Sequence, residues 1–138
     1  MNKLVKLPDE VFSAINGKSA KVLATVDAAG NPHVIQVGSI IAPSPEMIAF
    51  GAILMKETSK NLEAMKKKGQ EVAILATVEM KSYLVMAKIK EHFSTGPLYD
   101  QMNEELKKMG LKANVVWTVE PVAVFNQSAS YEAGKKMV

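Results

Sequence analysis

The segment KETSKNL, residues 56–62, gathers two lysines, two hydroxyls and an asparagine where an apolar run ends and a helical pattern begins. A helix start carries partial positive charge and unpaired backbone N–H groups. An exposed lysine there costs about 0.3–1 kcal/mol. Thr58 or Ser59 can cap such a helix. Hydroxyls, N–H groups and Lys60, supported by Lys56, together make an anion site, and a bound phosphate would reverse the lysine penalty. The plain alternative is a capped helix with solvated lysines. The overlapping GAILMKET is not a phosphate-binding loop, because Met55 stands where a glycine must precede the lysine.

Other chemistry is sparse. The two histidines, His33 and His92, are too few and too far apart in sequence for a metal site or a catalytic triad. His33 reads as a turn residue, and the alternative is an approach to a ligand edge. There is no cysteine, so disulfides and thiolate metal sites are excluded. All 17 basic residues are lysine, at a net charge of +3. Arginine is the usual reader of phosphate and guanine, so its absence argues against a nucleic-acid reader. The eight aromatics are scattered, which leaves no stacking platform for single strands. Trp117, in NVVWTVE, is a core or interface anchor.

These residues must be positioned by the rest of the chain. Its 138 residues, 48% apolar, fit one domain. Residues 8–16 read as a short helix with Val11, Phe12 and Ile15 on one side. Strands are predicted over 20–27, 33–41, 47–54, 71–78, 83–93 and 113–125, with turns at AAGNP and APSPE. Helices are predicted over 59–68, ended by Gly69, and after Pro97 to Gly110, with Leu98, Met102, Leu106 and Met109 on one face. Short links favour antiparallel neighbours, and six strands without exposed edges predict a wholly or partly closed barrel. Residues 126–138 read as a polar, loose tail. The N-terminal MNKLVKLPDEVFSAI lacks a signal-peptide core, and no apolar stretch is long enough to span a membrane, so the expectation is a cytoplasmic protein.

The order of these segments carries a resemblance. ATVDAAGNPHVIQVGSI, MIAFGA, KETSKNLEAMKK and VAILAT, in that order and spacing, resemble the FMN-binding split barrels of the pyridoxamine 5'-phosphate oxidase superfamily. LVMAKIKEHFSTGPLYDQM resembles its small stand-alone prokaryotic members, and the likeness covers about residues 10–125. The resemblance implies a mainly β, six-stranded antiparallel split barrel, and a homodimer with FMN at the interface. It implies phosphate binding by Thr58, Ser59 and Lys60, with Asn61 and Lys56 in support. It also implies a flavin ring along Gln36, Val37, Gly38 and Ser39 and along Phe50, Gly51 and Ala52. Trp117 would reach the ring from the partner strand. Gly38 and Gly51 suit the close approach of a flat ring or of another backbone.

The chain departs from the vitamin B6 oxidases themselves. Ser59 replaces the arginine beside the helix-start lysine, and the substrate-binding C-terminal extension is unrecognisable. The expectation is an FMN-dependent oxidoreductase acting on a small substrate, with no catalytic side chain assigned. The alternatives are a non-catalytic flavin carrier and, last, a nucleic-acid-binding barrel.

Overall fold

The computed structural model describes residues 3–53 and 56–138. Helix α1 (Asp9–Asn16) follows Pro8 and opens with Asp9 and Glu10, the acidic start that a helix dipole favours. It buries Val11, Ala14 and Ile15. Strands β1 (Ala20–Val26) and β2 (Pro32–Gln36) form an antiparallel hairpin, followed by β3 (Ile41–Ser44) and β4 (Met47–Ala52). Helix α2 (Lys56–Lys68) leads into β5 (Glu71–Val78) and β6 (Lys81–Phe93). Helix α3 (Pro97–Lys107), β7 (Val115–Asn126) and the short β8 (Lys135–Lys136) complete the chain.

All pairings are antiparallel, in the order β2-β1-β5-β6-β7-β4-β3, with β8 added to β7. The sheet therefore has eight strands and is open, with β2 and β3 at its ends. This corrects the expectation of six strands. One predicted strand, 33–41, is in fact two strands, because the backbone turns at Gly38 and Ser39. Residues 42–46, expected as a turn, mostly form β3, and the tight turn is confined to Pro45 and Glu46. Leu54, placed at the end of a predicted strand, and Met55 lie outside the described residues.

The tail also departs from expectation. Beyond β7 it folds back, and the Met137 N–H donates to the Val124 carbonyl at 2.7 Å. Met137 packs against the core. Its apolar side chain and the unused edge of β7 supply what the polar composition hid.

Two cores share the sheet. The larger includes Leu23, Phe50, Leu62, Met65, Ile74, Val85, Trp117 and Val119. The smaller lies beneath α3 and joins Ala49, Met102, Leu106, Ala113 and Val116. Strand β7 is covered on both faces there, so Val116 to Val119 are all buried. Asn103 fastens α3 to the approach of β7, donating to the Ala113 carbonyl and accepting from its N–H at 2.7 Å. Met109, expected on the buried face of α3, lies past the helix end and is 65% exposed. Pro121 is tolerated within β7 because it stands at a register shift opposite Ala87. Among the described residues no helix is long and apolar enough to cross a membrane.

Candidate functional site

Helix α2 lies across β1. Its Asn61 Nδ2 donates to Thr25 Oγ1 at 3.1 Å, and the Val26 N–H points to Met65 Sδ at 3.4 Å. These contacts fix the helix over the sheet. Beyond β1 runs the end strand β2, and alternation puts His33 and Ile35 on one face, opposite Thr25 and Leu23. Between that strand and the start of α2 lies a groove of about 480 Å³, lined by His33, Ile35, Gln36, Ile53, Lys56, Glu57 and Thr58. This volume falls in the range of small-molecule sites, about 300–1,000 Å³.

The turn before β2 holds His33 in place. Asp27 accepts the N–H groups of Ala29 and Asn31 and the side-chain amide of Asn31. Hydrogen bonds from the Asn31 backbone and side chain hold the Asp27 carboxyl below its ordinary range. Gly30, at φ 87°, supplies the left-handed residue that the turn requires.

Helix α2 runs from Lys56, so Thr58 and Ser59 belong to its first turns and are not its caps. Lys56 and Lys60 are exposed and lie one turn apart. Residues four apart share a helix face, and like charges in that arrangement repel by about 0.2–0.5 kcal/mol. An anion between them relieves both this repulsion and the dipole penalty. Glu57 suits the helix start by itself and opposes a phosphate, so the favourable charge lies on the lysine side.

The expected site residues separate into groups. Gln36, Lys56 and Thr58 line the groove. Ser59 and Lys60 lie on the adjoining turns of α2. Asn61 is 4% exposed and engages Thr25. Val37, Phe50 and Ala52 are buried in the larger core. Ser39 exchanges both of its hydrogen bonds with the backbone of Gly51, each at 3.1 Å, which locks the turn after β2 to β4. Gly51 faces α3: a Cβ there would lie 2.8 Å from the Ala113 Cβ. Its missing side chain is therefore explained by packing. Gly38 is exposed, with open space where a Cβ would point.

Trp117 is 1% exposed and does not line this groove. Sequence reading missed Ile35, Ile53 and Glu57, and gave His33 to the surface. The two-residue period of β2 was the available signal for His33 and Ile35. Ile53 and Glu57 are brought in only by the packing of α2.

No protein-family model matches the sequence, and no curated protein matches it. Solved structures do match. HupZ of Group A Streptococcus superposes with a TM-score of 0.76 at 18% identity, covering 93% of this chain and 99% of that one. A Lactobacillus delbrueckii protein described as a candidate pyridoxamine 5'-phosphate oxidase gives 0.69 at 26% identity, covering 91% and 99%. An FMN-binding protein from Syntrophomonas wolfei gives 0.69 at 13% identity, covering 80% and 78%. The fold is thus mainly β, an open antiparallel sheet with three helices, and these structures share it. It is the fold of the pyridoxamine 5'-phosphate oxidase-like split barrels.

Proposed function

We propose that the groove between β2 and the start of α2 binds FMN, and that the protein is a flavin-dependent oxidoreductase acting on a small substrate. The observation that carries this reading is one cleft holding a cationic helix start, apolar walls and an end strand. The residues present fit the cofactor. Lys56 and Lys60, with the N–H groups of the first turn of α2, would hold the phosphate, and Thr58 and Ser59 would supply hydroxyls. Ile35 and Ile53 would flank the ring, and Gln36 would supply an amide. Among the described residues β2 pairs only with β1, so alternate backbone groups along it point outward and suit the polar edge of a flavin. When bound, FMN supplies hydride or electron transfer, and the chain supplies position and electrostatics.

The groove is open along β2, which fits a homodimer whose second copy closes the site, and a cytoplasmic location is part of the same reading. The vitamin B6 oxidation itself is not proposed, since no arginine is present to hold a second phosphate. Purified protein is expected to be yellow and to release FMN on denaturation. A colourless preparation that fails to take up added FMN, or release of a non-flavin ligand, overturns the reading. Turnover with a nicotinamide donor and an acceptor separates an enzyme from a flavin carrier.

A further inference from the structure

A second groove, of about 460 Å³, lies at the other end of α2 and is lined by Glu63, Lys66, Lys67, His92 and Trp117. It shares no lining residue with the first. Trp117 comes from β7 and is paired across the sheet with Phe50 and His92. Its ring is 1% exposed and lies against the His92 ring, with centroids 4.7 Å apart and planes at 42°.

The indole Nε1 is the buried side-chain polar atom without a hydrogen-bond partner among the described residues. An unpaired buried donor costs about 1–3 kcal/mol. Such an atom calls for an acceptor that the chain itself does not provide. His92 is exposed, and its ring contact with Trp117 is its one side-chain interaction among the described residues. The two rings line the groove together.

The surrounding charges narrow the ligand. Lys66 and Lys67 are exposed, and neither forms an ion pair among the described residues. Glu63 stands one turn earlier and cancels one of the two positive charges. The groove thus carries about one net positive charge, a donor-only indole and a wall of two rings. A single negative charge suits it, whereas a dianion meets Glu63. A flat ring suits the aromatic wall.

We propose that this groove binds a small planar monocarboxylate, with its carboxylate between the two lysines and the indole N–H and its ring against His92. The proposal stands whether or not the first groove takes a flavin. Trp117 is the only tryptophan of the chain, so tryptophan emission, excited selectively over the three tyrosines, reports this groove alone.

The test is a titration of the full-length, flavin-stripped protein with benzoate, using benzamide as the neutral isostere. Benzoate is expected to change the Trp117 emission saturably, and benzamide to bind at least about tenfold more weakly, one lost charge-assisted contact. The double variant Lys66→Gln/Lys67→Gln, altered only on an exposed helix end, is expected to weaken benzoate about tenfold or more. Trp117→Phe, followed by calorimetry, is expected to lose about threefold to tenfold through the missing N–H. No saturable change, equal affinity for benzamide, or full affinity in the lysine double variant would each overturn the proposal.

Discussion

The two ends of α2 are both rich in lysine and differ in what that lysine requires. At the start, Lys56 and Lys60 face the positive end of the helix dipole and each other. At the end, Lys66, Lys67 and Lys68 face the negative end, which favours them without any ligand. Lys68 also donates to the Ala28 carbonyl at 3.2 Å, in the turn that leads to β2. The first cluster is therefore electrostatically incomplete and the second is complete. At the start, charge itself argues for an anion. At the end, the argument rests on an unpaired indole, and the lysines only choose the ligand's sign.

The sharpest way to break this contrast is charge reversal with FMN as the probe. Lys56→Glu is expected to weaken FMN about 10- to 100-fold, the worth of a charge-assisted phosphate contact. Lys67→Glu is expected to stay within about twofold, as a distant exposed charge should. Equal losses, read by flavin fluorescence quenching, would show that only overall charge matters.

Next in size is a test of ligand against packing, applied to two glycines that look alike in sequence. Gly51→Ala pushes a Cβ into Ala113 and is expected to destabilise the fold by about 1–3 kcal/mol. Gly38→Ala meets open space and is expected to stay within about 0.5 kcal/mol. Chemical denaturation of the flavin-free protein measures both. An equal and small effect would return Gly51 to the list of ligand-facing positions.

The smallest effect is the sign of the dipole term itself. Without flavin, Lys56→Gln is expected to raise stability by about 0.3–1 kcal/mol, and Lys68→Gln to lower it by a similar amount. Saturating FMN should turn the first gain into a loss. The same sign at both ends would remove the electrostatic reason for the first site.

How much of this was legible depends on the range of the forces involved. Residues 71–78 were read to the residue, because apolar and β-branched side chains mark a strand locally. The helix starting at Pro97 was plain in its proline start and acid-to-base order, although it ends at Lys107, short of the expected close at Gly110. The β2–β3 turn was hidden, because HVIQVGSII reads as one continuous strand. What bends it is Ser39 gripping the backbone of Gly51, twelve residues away. Asn61 shows the same limit: it reads as a ligand donor at a helix start, and Thr25, far off in sequence, takes its amide.

The sequence by itself determined the class of fold, the absence of arginine and cysteine, and a helix that starts with misplaced positive charge. Each follows from local pattern or composition, which the chain carries wherever it folds. Tertiary structure alone decided which polar groups remain for a ligand. Packing engaged Ser39, Asn61 and Gly51 within the chain, brought His33 and Ile35 beside the start of α2, and buried Trp117 with its N–H unpaired. A hydrogen-bonding group is available to a ligand only after the fold has taken its share, and that share is set by neighbours distant in sequence.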